Sequence, residues 1–228
     1  MERYFVGVDL GQSRDYTAIG ILERAELTGE WDAVTYAYRK TVALRLRYLE
    51  RVALGTPYPE VVERVKRIVR SGELAGRCQL AVDATGVGRP VVDLLRRAGL
   101  GCGMLPVVIT GGDAEGHSDG YYRVPQKDLI IGLQVLLQRG ALQIAAGLQW
   151  GEALVEEMAG MQVKQSASGR ERFGAWREGE HDDLVFAVAL AYWAAKKVCP
   201  KGLDGVDGWW QRDAGTVVGG GRVSAGWW

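Results

Sequence analysis

The sequence predicts a mixed α/β sheet, three antiparallel strands joined by two parallel crossover strands and flanked by helices. Three observations carry this. The apolar run YFVGVD stops at an aspartate and the turn residues LGQSRD. A second run, CQLAVD, stops in the same way before ATGVG. Strand patterns follow one another up to residue 38, whereas helical and extended patterns alternate later, which is the order of right-handed crossovers.

Tyr4 to Asp9 reads as a short buried strand. Tyr16 to Leu22 and Ala33 to Tyr38 follow as two more, with Gly29 between them, giving an antiparallel meander. RKTVALRLRYLERVALGTPYP, residues 39–59, reads as a basic connector of poor periodicity. Pro57 and Pro59 punctuate the start of a helix over Glu60 to Arg70, whose Val61, Val62, Val65, Ile68 and Val69 form one stripe. Cys78 to Asp83 is a strand, Pro90 to Ala98 a helix, and Leu105 to Thr110 another strand. Helices are expected over Pro125 to Gln138 and Leu148 to Val163, with ALQIA extended between them. KQSASGRERFGAW suggests a hairpin around Gly169. His181 to Val198 is apolar nearly all round, so this last helix should be buried.

From residue 200 the composition becomes rich in Gly and Trp, with GWW at 208–210 and again at 226–228. The expected organisation is therefore one domain over residues 1–199 and a flexible tail over 200–228. The 228 residues carry 28 Lys and Arg against 28 Asp and Glu. A global positive field is excluded, so any nucleic-acid binding must come from local patches. Cys78, Cys102 and Cys199 fit neither a disulfide framework nor a zinc ribbon. No leader pattern opens the chain, and its longest apolar run, Leu184 to Ala195, is too short to span a bilayer. A cytoplasmic protein without a membrane partner is expected.

The chemistry lies in carboxylates. Asp9 and Asp83 each end a strand, and parallel neighbouring strands would place them about 4.8 Å apart. Asp182 and Asp183 open the buried last helix, which could point both into the same crevice. Carboxylates crowded at one point repel unless cations neutralise them, and a pair of Mg²⁺ or Mn²⁺ ions would do so. Such a pair hydrolyses phosphodiesters. Each piece has a plainer alternative. An aspartate pair at a helix start can cap free amides, and an aspartate ending a strand can be a turn residue.

In chain order, GVDLGQSRDYTAI, LAVDATGVGRPVVDLL, VPQKDLIIGLQVLLQRGALQIA and AWREGEHDDLVFAVALAYW resemble the nuclease domain of phage terminase large subunits. That family belongs to the ribonuclease H-like superfamily, and the resemblance covers about residues 4–197. It implies Asp9, Asp83 and the pair Asp182 and Asp183 as catalytic metal ligands, with the direct ligand of that pair left open, two Mg²⁺ or Mn²⁺ ions, and double-stranded DNA as substrate. It also implies a packaging ATPase or portal protein as a separate partner. No GxxxxGK[ST] loop occurs in this sequence, so it does not encode ATP-driven translocation.

Two basic stretches could meet DNA. One is the connector, with Arg39, Lys40, Arg45, Arg47 and Arg51; the other is the hairpin, with Lys164, Arg170, Arg172 and Arg177. Lys127 is a further phosphate candidate, against the plainer reading of a surface lysine. His117 and His181 lack metal-ligand spacing and receive no catalytic role. Other readings stay open: a Holliday-junction resolvase of the same superfamily, an actin-like or sugar-kinase ATPase in which DLGQSRDYTA and DATGVG bind phosphate, and a non-catalytic binding module.

Overall fold

The computed structural model describes residues 3–11, 15–86, 88–165, 171–174 and 181–203. Its centre is strand β1 (Tyr4–Asp9), paired antiparallel with β2 (Thr17–Asp32) on one side and parallel with β4 (Cys78–Asp83) on the other. Beyond β2 lies β3 (Ala37–Val52), antiparallel to it, and beyond β4 lies β5 (Gly103–Thr110), parallel. These are the three antiparallel and two parallel strands expected. Short edge strands β6 (Gly116–Ser118), β7 (Tyr121–Pro125) and β8 (Leu142–Ile144) complete an eight-stranded sheet in the order β6-β7-β5-β4-β1-β2-β3-β8.

The third strand differs from the expectation. Residues 33–36 are the turn of a long ribbon, and the stretch read as a connector is β3 itself. Its arginines hid a strand pattern in which buried Leu44 and Leu46 alternate with Arg45 and Arg47. The basic run is therefore spread along a ribbon, and its arginines are engaged. Arg39 pairs with Asp32, Arg47 with Glu23, and Arg45 bonds Gln143.

The sheet is covered on both faces. Helices α1 (Tyr58–Val69) and α2 (Gly88–Arg97) bury Tyr4, Val6, Val8, Leu80 and Val82. Helices α3 (Gln126–Gln138), α4 (Gly151–Gly160) and α5 (Asp183–Val198) bury Phe5, Ala18, Leu44, Leu46 and Ala81. Two buried faces explain why β1 and β4 read as unbroken apolar runs. Helix α4 is shorter than expected, because Trp150 before it takes a left-handed backbone (φ 66) and residues 162–165 form a strand.

Strands β9 (Gln162–Gln165) and β10 (Glu171–Gly174) pair antiparallel, the hairpin read from sequence, with β10 against α3. Of the stretch read as a tail, Leu203 is buried in the core, and residues 204–228 lie outside the described part. Among the described residues, no helix is long and apolar enough to cross a membrane.

Helix α5 is buried from Asp183 to Ala195 and runs across β1, β2 and β4. Gly7 permits this. A Cβ there would sit 1.9 Å from the Ala187 carbonyl oxygen and 2.6 Å from the Ala191 amide nitrogen. Backbone therefore meets backbone, and the start of α5 is brought down onto the strand ends.

Candidate functional site

Strand alternation decides where the first two aspartates point. On β1, Val6 and Val8 face α1 and α2, so Asp9 belongs with Phe5 and Gly7 on the α5 face. On β4, Leu80 and Val82 face α1 and α2, which turns Asp83 with Ala81 toward α5. Val8 pairs with Val82, so Asp9 and Asp83 are neighbours across the parallel strands. Register then continues the row: Asp9 opposite Ala18, and Ala18 opposite Arg51. Asp83, Asp9, Ala18 and Arg51 thus run across four strands beneath the first turn of α5.

A crevice of about 460 Å³ opens there, lined among others by Asp9, Asp83, Thr85, Gln126, Asp182 and Asp183. The structure brings together all four carboxylates proposed from sequence. Burial, then the charges of Asp83, Asp182 and Asp183 in that order, holds the Asp9 carboxyl well above the usual carboxylate range. Burial raises Asp83 too, against the pull of Thr85, whose hydroxyl and amide both donate to Asp83 Oδ1 at 2.5 and 2.8 Å. The same hydroxyl accepts the Ile109 amide at 2.9 Å, which ties the end of β4 to β5.

The capping alternative for the acidic pair has a direct answer. Asp182 occupies the N-cap position of α5 but makes no side-chain cap bond. Glu157, from α4, caps the helix instead: its Oε2 accepts the amides of Leu184 at 3.0 Å and Val185 at 3.2 Å. Arg51 joins the two. Its Nε donates to Asp183 Oδ2 at 2.9 Å, and its Nη2 donates to Asp183 Oδ1 at 3.3 Å and to Glu157 Oε1. The Arg51 side chain is 11% exposed, so it is no surface DNA contact. Its guanidinium lies over the rings of Tyr16 at 4.9 Å and Trp150 at 5.3 Å. His181 packs edge-on against Tyr16 at 5.1 Å, with Nδ1 3.9 Å from Asp183.

One guanidinium serves two buried carboxylates in this cluster. Burial, then the Asp183 charge, pushes Glu157 up to about 7, and burial raises Asp183 as well despite the Arg51 hydrogen bonds. Among the described residues of this cluster, positive charge is therefore in deficit. Among the described residues, no three His, Cys, Asp or Glu side chains form a group able to hold an ion as they stand. The donor set is carboxylate oxygen, which suits a hard divalent cation such as Mg²⁺ or Mn²⁺ better than a thiophilic one.

The phosphate candidates fall into three groups. Lys127 follows Gln126 of the crevice and ion-pairs with Asp113 at 2.6 Å. Lys164 and Arg172 stand directly opposite each other in the β9–β10 pair. Arg170 and Arg177 lie outside the described residues. Sequence reasoning missed Thr85 and Glu157 and misread Arg51. The alternation of β3 could have placed Arg51, but nothing local marks Glu157, which acts on amides 27 and 28 residues away.

No family model and no curated protein matches the chain. Solved structures do. The large terminase nuclease from thermophilic phage G20c superposes with a TM-score of 0.55 at 22% identity, covering 83% of this chain and 81% of that one. The same nuclease with bound magnesium matches at 24% identity, with a TM-score of 0.55 and coverage of 83% and 80%. A mutant nuclease domain of the large terminase subunit of bacterial virus Sf6, with manganese and beta-thujaplicinol, gives a TM-score of 0.56 at 12% identity, covering 83% and 87%. These likenesses establish the ribonuclease H-like fold of the chain.

Proposed function

We propose that this chain is a metal-dependent DNA endonuclease that hydrolyses phosphodiester bonds with two divalent cations. The observation that carries the reading is the convergence of Asp83 and Asp9, neighbours on the α5 face of the sheet, with the acidic pair that opens α5. The fold is shared with terminase nucleases, and magnesium and manganese are named with two of the solved structures.

Asp9, Asp83 and the acidic pair Asp182/Asp183, through one or both of its members, would hold Mg²⁺ or Mn²⁺, which when bound supply Lewis acidity for in-line displacement at phosphorus. The chain's own contribution is preorganisation. Rigid strand ends fix Asp9 and Asp83, and Thr85 orients the Asp83 oxygen with two donated hydrogen bonds. Burial at the crevice floor raises the cost of leaving these carboxylates without a cation. Lys164, Arg170, Arg172 and Arg177 of the hairpin segment, with Lys127, would grip the phosphate backbone of double-stranded DNA. Such contacts confer affinity with little sequence preference. A packaging ATPase or a portal protein acting in trans belongs to the same reading.

The test is incubation of supercoiled plasmid with the protein and Mn²⁺, with EDTA and Asp83→Asn as controls. Nicking and linearisation that both controls abolish are expected. Cleavage by a folded Asp83→Asn variant at the wild-type rate would refute the assignment.

A further inference from the structure

We propose that Arg51 and Glu157 are positioning residues for the metal site: Arg51 engages Asp183 and Glu157 the amides that follow it, so that Asp182 is the carboxylate α5 presents to the cations. The inference rests on the nuclease reading above and divides the acidic pair between two roles.

Both oxygens of Asp183 face Arg51, at 2.9 and 3.3 Å. The third partner of that guanidinium, Glu157, bonds the next two amides of the helix, Leu184 and Val185. The first turn of α5 is thus held at Asp183 by a side chain from β3 and at its amides by a side chain from α4. Asp182 precedes this held turn and lines the crevice, and its carbonyl accepts the Phe186 amide at 3.0 Å. A residue at that place is aimed by whatever fixes the turn behind it.

Arg51 is itself confined. Tyr16 and Trp150 lie on its guanidinium, and Trp150 takes its place there in a left-handed backbone (φ 66), a conformation that bulky residues rarely adopt. Such an outlier is grounds for asking what the side chain is held for. A buried ion cluster adds little stability over apolar packing of the same volume, whereas its directed hydrogen bonds add orientation. Partners that orient metal ligands from behind typically contribute 10- to 100-fold in metal affinity.

Calorimetric titration of the full chain with Mn²⁺ tests this. Arg51→Met alone strands two buried carboxylates and endangers the fold, so the neutral triple variant Arg51→Met/Glu157→Gln/Asp183→Asn carries the comparison. Asp182→Asn should remove one ion from the stoichiometry or weaken Mn²⁺ binding by more than the roughly 10- to 100-fold that an orienting partner contributes. Asp183→Asn and Glu157→Gln should each weaken it about 10-fold with stoichiometry unchanged, and the triple variant should fall short of the product of the separate losses, as groups acting as a unit do. Arg51→Lys should recover part of the affinity that the triple variant lacks. Loss of an ion in Asp183→Asn, or wild-type affinity in the triple variant, would overturn the division of roles while leaving the nuclease reading intact. A wild-type protein that binds no Mn²⁺ would overturn both.

Discussion

Replacing Gly7 by alanine should unseat the helix that brings the acidic pair to the strand ends. The added Cβ would lie 1.9 Å from Ala187 O, 2.6 Å from Ala191 N and 3.0 Å from Ala187 C. Ordinary contact is about 3.5 Å, so α5 or β1 must move by more than about 1 Å. All three atoms are backbone, and no rotamer change relieves the clash. Overpacking of this kind costs about 3 kcal/mol, the top of the usual range. For a domain of this size that lowers Tm by about 6–12 °C. Gly20→Ala is the control. Its Cβ would meet the Val188 side-chain methyl Cγ2 at 3.3 Å, which can yield, so the change should stay within about 1 kcal/mol. Thermal and urea unfolding followed by circular dichroism, both in EDTA, measure the two. A Gly7→Ala protein melting within about 2 °C of wild type, or indistinguishable from Gly20→Ala, would refute the close-approach argument.

Asp9, Asp83, Asp183 and Glu157 hold protons more tightly in the folded chain than in the unfolded one, so their contribution to stability is complete below the ordinary carboxylate range and is lost as pH rises, with Glu157 giving up its share near 7. Scanning calorimetry in EDTA should show Tm falling between about pH 5 and 8 and saturating Mg²⁺ reducing that fall; a flat EDTA profile would contradict the charge deficit. Thr85→Val removes one of the two donors to Asp83 and strands the Ile109 amide, which should cost about 1 kcal/mol in urea unfolding and raise the Mn²⁺ concentration needed for cleavage. Lys164→Ala and Arg172→Ala should each reduce the slope of log K against log salt for duplex binding, read by fluorescence anisotropy, by about 1. An unchanged slope in both variants would remove the hairpin from the DNA interface.

Much of the site was legible because its parts are local. Asp9 and Asp83 each end an apolar run, and parallel pairing of neighbouring strands brings such ends together. The acidic pair stands at the start of a helix too apolar to be anything but buried. Where reading failed, the cause was tertiary. The sequence of β3 looks like a charged linker because its arginines outnumber the alternation they interrupt, and each finds its partner on another strand or helix. The β6–β7 hairpin turns at Asp119 and Gly120, both left-handed (φ 54 and 75), a DG turn whose flanking strands are too short to carry a pattern of their own. Glu157 could not be found from its neighbours, because the amides it caps belong to the next helix.

The central claim is that the carboxylates at the ends of β1 and β4 and at the start of α5 form one divalent-cation site. An anomalous difference map from crystals soaked in Mn²⁺ tests it most directly. The account predicts peaks within bonding distance of the carboxylate oxygens of Asp9 and Asp83, with Asp182 completing the set. Peaks confined to other parts of the surface, with none in this crevice at saturating Mn²⁺, would contradict it.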